Sequence, residues 1–212
     1  MENYKAIAMH AGNYPMKVIP KRNSYIPAVI IFNGDIPCLE KQAFPNENII
    51  NGILSDLVFT KFSNANERCR LLSSYSFFEL KACPNYFQEG EFDCFVPVNV
   101  AQWHWVALVV FRRERLLMIL DSNLSPEMNL IHGEIFCAAQ THLGGKWATM
   151  CPQVAQQGET VNCGLYVIRY GEIIFECYER GPCSSQEVVS KCDNIGDIEE
   201  CRKRWRELVT DT

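Results

Sequence analysis

From Gly164 to Cys177 the chain is apolar on nearly every side, with Tyr166, Tyr170, Ile173, Ile174 and Cys177 recurring at helical spacing. A helix without a polar face has to be covered all round, so this stretch predicts a buried central helix. Three apolar runs stand ahead of it: Phe92 to Val98, Trp105 to Phe111 and Leu116 to Leu120. Each is short and rich in Val, Ile, Leu and Phe, which fits buried strands. The charged tetrad Arg112-Arg113-Glu114-Arg115 joins the last two as a hairpin. The pattern is that of one α+β domain, a central mixed or antiparallel sheet packed against a buried helix.

The flanking elements follow from the same rules. Asn46 to Val58 predicts a helix with Ile49, Ile50, Ile53, Leu54 and Leu57 on one face, Asn46 as its cap and Glu47 in its first turn. Tyr75 to Lys81 predicts a second, short helix. Ser125-Pro126 opens another, with Ile131, Ile135, Ala138, Ala139 and His142 inward, and Gly144-Gly145 closes it. Trp147 to Met150 suits an edge strand. A last helix, Ile198 to Val209, turns Ile198, Cys201, Trp205 and Leu208 inward. Residues 1–43 carry little helical period and one short strand signal, Ile26 to Phe32, so they read as an N-terminal segment without an assigned structure, ahead of the domain at 44–212.

Composition removes several classes of function. A net charge of -5 gives no electrostatic reason to expect nucleic acid. The basic clusters at Arg112 to Arg115 and Arg202-Lys203-Arg204 read as a solvated turn and a solvated helix face. The start of the chain lacks a basic region followed by an apolar one, and no run approaches the ~20 apolar residues of a bilayer span. The expectation is an intracellular protein, nuclear or cytoplasmic, with no membrane partner. The 11 cysteines are odd in number and scattered, and none forms a Cys-x-x-Cys pair. That argues for reduced thiols used as small apolar residues, and against a zinc site or a dithiol redox motif. Cys83, Cys183 and Cys192 lie in polar or turn-like stretches and are expected at the surface.

Against that frame four short segments stand in a fixed order: Trp103-His104-Trp105, Leu120-Asp121-Ser122, Gln156-Gln157 and Asn162-Cys163-Gly164-Leu165. They place a base, an orienting acid, an oxyanion donor and a nucleophile. His104 precedes one strand and Asp121 follows its hairpin partner, and adjacent strands lie ~5 Å apart, so an imidazole–carboxylate bond is natural there. That bond would leave the other ring nitrogen for the nucleophile. Cys163 sits where a loop becomes the buried helix, and the free N–H groups of a helix N-terminus favour thiolate. Gly164 would let a substrate backbone come close. Gln157, or Gln156 in its place, would aim an amide N–H at the oxyanion beside the Cys163 backbone N–H, and one such donor is worth about 3 kcal/mol. Each residue also has a structural reading: a core thiol, a core histidine, a turn and two loop glutamines. His10, His132 and His142 lack a comparable context and read as structural or solvent-exposed.

The order of His first and Cys last resembles the ubiquitin-like-protein-specific (SUMO- or sentrin-specific) cysteine proteases and the adenovirus-protease type. The likeness runs from Ala43 to Leu208. Phe44-Pro45-Asn46-Glu47-Asn48-Ile49-Ile50 resembles the family's Trp-Leu-Asn-Asp-x-x-Ile-Ile opening, and Ser73 to Phe78 its following Phe-Phe helix. Val96-Pro97-Val98-Asn99 with His104-Trp105 resembles its Pro-x-Asn and His-Trp stretch. Gln157 to Val167 resembles Gln-x-x-x-x-Asp-Cys-Gly-x-Tyr-Val. The resemblance implies a papain-like fold and cleavage after the C-terminal Gly-Gly of a ubiquitin-like modifier, most of all SUMO. It implies catalytic roles for His104, Asp121, Gln157 and Cys163, and substrate contacts at Trp105, Phe44 and Gly164. Trp105 would wall a tunnel too narrow for any residue with a side chain. The implied enzyme needs no cofactor and no metal, works as a monomer, and meets the modifier and its conjugates. Phe44 for Trp and Asn162 for Asp depart from the family pattern. Ubiquitin, a NEDD-type modifier or a polyprotein remain alternative substrates, as does a catalytically weak binding module.

Overall fold

The computed structural model describes residues 15–19, 29–40, 43–74, 91–100, 103–158 and 160–210. Strands β1 (Pro15–Ile19) and β2 (Val29–Phe32) form an antiparallel ribbon. A 3₁₀ turn (Asn33–Leu39) leads to helix α1 (Glu47–Asp56), which runs on into a π turn (Leu57–Lys61). Strand β3 (Cys69–Leu71) follows, then β4 (Asp93–Val100), β5 (His104–Phe111) and β6 (Leu116–Leu120). Helix α2 (Met128–Leu143) and strand β7 (Ala148–Met150) come next. Helices α3 (Cys163–Arg180), α4 (Ser185–Cys192) and α5 (Ile198–Thr210) complete the described chain. The expected helix at Tyr75 to Lys81 and Cys83 lie outside the described residues.

Strands β3 to β7 form a five-stranded sheet in sequence order. The inner pairs, β4–β5 and β5–β6, are antiparallel, and the outer pairs, β3–β4 and β6–β7, are parallel. The sheet is therefore mixed, with α+β composition. Alternation along the strands divides the core in two. Trp105, Ala107, Val109 and Phe111 of β5, with Leu116, Met118 and Leu120 of β6, join α1, α3 and α5 on one face. Val106, Leu108 and Val110, with Leu117 and Ile119, join Met128, Ile135 and Ala139 of α2 on the other. Both central strands are buried at every position, which is why their sequences are continuous apolar runs rather than alternating ones.

α3 is the buried helix that its all-round apolar sequence predicts, starting at Cys163. Close packing against it depends on Gly171, where a Cβ would collide with Leu54 of α1 and crowd the Phe95 ring of β4. Asn46 caps α1, its side chain accepting from the Ile49 N–H at 3.0 Å. Asp35 in turn accepts from the Asn46 amide at 2.7 Å and from the Phe32 N–H at 2.8 Å, tying the 3₁₀ turn to the cap. Ile19, Val29, Ile31 and Leu39 lie in the same core as α1 and α3, so the described part of the N-terminal segment packs on the domain.

Four expectations need correction. α2 begins at Met128, after a turn in which Met128 and Asn129 donate to the carbonyls of Ser125 and Pro126. Its buried face is Met128, His132, Ile135 and Ala139, so Ile135 and Ala139 are buried as expected, His132 joins them, and His142 is only half-buried. Cys183 and Cys192 are buried, and among the described residues the exposed thiols are Cys137 and Cys151. Arg202 is no solvated residue: it is 5% exposed and inward on α5 beside Cys201, Trp205 and Val209. Helix α4 and strand β3 had no signal strong enough to read, being eight and three residues long.

Candidate active site

His104 opens β5 and Asp121 follows the last residue of β6. The β5–β6 register pairs Ala107 with Leu120, which brings the two side chains to the same end of the sheet. His104 Nε2 lies 2.7 Å from Asp121 Oδ1, with both residues 2% exposed or less. The Cys163 thiol, on the first residue of α3, acts electrostatically on the same ring. With Nε2 held by the carboxylate, Nδ1 is the nitrogen left for sulfur. The structure thus brings three of the four expected catalytic side chains together, with His104 and Asp121 hydrogen-bonded and Cys163 acting on the same ring.

Electrostatics follow from that line. Burial pulls the His104 pKa down, but the Asp121 hydrogen bond and the Cys163 thiol outweigh it and carry the ring up to about 9. Burial pushes the Asp121 carboxyl up, yet bonds from His104 and His132 hold it below its ordinary value. An imidazolium beside a thiol at a helix N-terminus is the setting of reactive cysteines.

The two glutamines part company. The Gln156 amide is fully committed: its oxygen accepts from Leu124 N–H at 2.9 Å, and its nitrogen donates to the Asp121 and Val154 carbonyls at 3.0 and 2.9 Å. Gln157 has its backbone N–H on the Ser122 carbonyl at 2.8 Å and its side-chain oxygen accepting from Ser122 Oγ at 3.3 Å. Its amide nitrogen takes no part in these bonds. Of the pair, Gln157 keeps a donor to spare, and Gln156 acts as the clip that holds the loop to the end of β6.

The expected substrate contacts are placed differently. Trp105 is fully enclosed, its indole N–H donating to the Pro45 carbonyl at 3.0 Å. The exposed aromatic beside the site is Trp103, at 55%, whose ring centroid lies 5.6 Å from that of His104. Phe44 is half-buried against the core. Gly164 is not an open approach for a substrate: a Cβ there would meet the Pro45 Cβ at 3.0 Å and the Ile50 Cδ1 at 3.1 Å. Its missing side chain makes room for Pro45, which is wedged between α3 and Trp105.

Two participants were not expected. Arg202 of α5 donates to the Asn162 side-chain oxygen and to the Glu40 carbonyl, both at 2.5 Å, and so fixes the residue just before Cys163. His132 of α2 donates from Nε2 to Asp121 Oδ2 at 2.8 Å. The strand alternation Leu117, Ile119, Asp121 points that carboxylate at α2, where His132 occupies the buried face. A search for apolar periodicity passes over both, because each is a polar residue buried by a partner distant in sequence.

Other features lie away from this line. A cleft of about 460 Å³ between Asp93, Phe111, Tyr178 and Ser184 is at the opposite end of β4 and β5. Among the described residues, Cys177, Cys183 and Glu187 set ligand atoms within 4.8 Å of one another, near the far end of α3. There the Cys183 bond and the Lys191 ammonium draw the Cys177 thiol down to about 7, and that ammonium weighs against a metal cation in the same place. No described helix is long and apolar enough to cross a membrane.

Comparison with known proteins bears on the same geometry. No curated protein matches the chain by sequence. The C-terminal Ulp1 protease domain solved in complex with Smt3, the yeast ortholog of SUMO, superposes with a TM-score of 0.66 at 15% identity, over 99% of this chain and 92% of that one. The Xanthomonas campestris effector XopD bound to ubiquitin gives a TM-score of 0.64 at 19% identity, over 82% and 93%. At these identities the likeness establishes a shared fold. The family itself comes from sequence: residues 93–205, from the first residue of β4 to Trp205 of α5, match the C-terminal catalytic domain of the Ulp1 protease family. That span holds the whole line from His104 to Cys163, and the chain belongs to the Ulp1 family of cysteine proteases.

Proposed function

We propose that this protein is a thiol isopeptidase or C-terminal processing peptidase that cleaves after the Gly-Gly of a ubiquitin-like modifier, with SUMO the first candidate. The observation that carries the reading is the buried His104–Asp121 hydrogen bond, with the Cys163 thiol acting on the same ring from the N-terminus of α3. SUMO is favoured by the sequence resemblance and by the likeness to the domain bound to Smt3. Ubiquitin is the second reading, favoured by the likeness to XopD bound to ubiquitin.

Cys163 Sγ attacks the carbonyl carbon of the terminal glycine, and its proton rests on His104. The oxyanion is met by the Cys163 backbone N–H, free at the start of α3, and by the Gln157 amide. His104 then protonates the leaving lysine amine, and water hydrolyses the thioester. Asp121 holds the ring in one orientation throughout. Cys163 is only 2% exposed, so on this reading the modifier tail reaches it once Pro45, which packs on Gly164 and accepts from Trp105, gives way. The opened slot is then lined by Trp105, which suits glycine by sterics. The enzyme is proposed to act as an intracellular monomer needing no cofactor or metal.

The test is labelling with SUMO, ubiquitin and a NEDD-type modifier, each carrying an electrophile at its C-terminal glycine. A covalent adduct with SUMO that is lost in Cys163→Ala supports the reading. An adduct with ubiquitin alone moves the substrate. No adduct from a folded protein that still binds one of them makes it a binding module instead.

A further inference from the structure

Asp121 is used from both sides. Oδ1 faces His104 Nε2 at 2.7 Å and Oδ2 faces His132 Nε2 at 2.8 Å. Beyond His132, its Nδ1 lies 3.5 Å from the sulfur of Cys151, the residue that follows β7. Thiol, imidazole, carboxylate, imidazole and thiol therefore stand in one run, from Cys163 to Cys151. The proposed proteolysis uses only one half of it. The two ends differ in access, since Cys163 is buried and Cys151 is exposed.

We propose that Cys151, backed by His132 and Asp121, is a second activated thiol and a modification site for soft carbon electrophiles arriving from solvent. The geometry supplies what such a site requires. His132 is 2% exposed and both of its nitrogens are engaged, so the ring cannot turn away from the sulfur. Burial pulls its pKa down, but the bonds to Asp121 and Cys151 prevail and raise it to about 9. A thiol next to a positive ring, open to water, has the surroundings that set reactive cysteines apart from inert buried ones. The other exposed thiol, Cys137, lies on α2 with no such imidazole among the described residues. In the reaction the sulfur attacks the electrophilic carbon and a C–S bond forms. With iodoacetamide the C–I bond breaks and iodide leaves with the electron pair. The proton shared by sulfur and ring stays on His132. This inference stands apart from the proteolytic reading, because it needs neither Cys163 nor a modifier.

The experiment uses the full chain carrying Cys163→Ala, treated with limiting iodoacetamide at neutral pH, with rates at single cysteines followed by peptide mass spectrometry. Cys151 is expected to label about tenfold faster than Cys137. His132→Gln, which keeps a donor to Asp121 but cannot hold the thiol proton, is expected to bring Cys151 within about twofold of Cys137. Asp121→Asn is a second route to the same loss. Equal rates at Cys151 and Cys137 in the parent overturn the proposal, whether or not the variants fold. So does a fast Cys151 that is unchanged in a folded His132→Gln protein.

Discussion

Gln156 and Gln157 are adjacent and chemically identical, yet their surroundings assign them different work. Gln156 spends every polar atom of its side chain on the backbone of two loops. Gln157 is steadied through its oxygen and keeps its nitrogen. Gln157→Ala is therefore expected to lower kcat by roughly 10²–10³ with little change in KM, the usual effect of losing one oxyanion donor. Gln156→Ala should instead act through the fold: Leu124 N–H and the Asp121 and Val154 carbonyls lose their partner, costing about 1–3 kcal/mol. Steady-state kinetics beside thermal melts of both variants separate the two effects, and a kcat collapse in Gln156→Ala without loss of stability would reverse the assignment. At this scale the sequence was legible in kind but not in choice. The Gln-Gln pair offered two candidate donors, and only the contacts to Ser122, Leu124 and Asp121 show which amide is spent.

Among the elements, α3 depends on α5 at the point where chemistry is expected. Arg202 crosses from α5 to bond both Asn162 and the Glu40 carbonyl, 5% exposed as it does so. The departure of Asn162 from the family's Asp thus leaves an oxygen in the place a carboxylate oxygen would take, and the guanidinium still finds an acceptor. Arg202→Leu removes the charge-assisted bonds to Asn162 and Glu40 together with the ion pair to Glu199, an expected loss of about 2–4 kcal/mol in urea unfolding. A loss below about 0.5 kcal/mol would mean that the bonds are no better than a surface pair. The helices themselves were readable: α3 from its apolar surface, α1 from its Asn46 cap, and α5 from the spacing of Cys201 and Trp205. What misled was the phase of α2. Ile135 and Ala139 are buried and Ile131 packs on the core as expected, but the face is centred partly on His132, a polar residue recruited by Asp121.

For the molecule as a whole, the shared carboxylate links the fold to pH. His104 and His132 are each raised from 6.5 to about 9, so the stability they contribute is complete below about 6.5 and lost as pH climbs through about 9. Asp121 is lowered, so its contribution is present above the ordinary carboxylate value and lost as pH falls through its value in the fold. Cys177, drawn down to about 7 at the far end of α3, works in the opposite direction over the same alkaline window. The informative quantity is accordingly the difference in Tm between wild type and Asp121→Asn, in which the Cys177 contribution cancels. That difference should be largest near pH 6 and shrink steadily toward pH 9. A difference constant across this range would show that the two rings do not titrate against Asp121.

Sequence alone determined that the chain makes an α+β domain, where its central strands and buried helix run, and which His, Asp and Cys stand at their ends. Those features are local: apolar periodicity, caps and chain order carry them without reference to distant residues. Tertiary structure decided the rest. It turned His132 inward, buried Arg202, closed Trp105 beneath Pro45, filled the space at Gly164 and separated the two glutamines. Each of these outcomes depends on a polar or steric partner on another element, from 11 residues away for His132 and Asp121 to 162 for Arg202 and Glu40. Burial of a polar group is favourable only where its hydrogen bond is waiting, and that meeting is made by the fold.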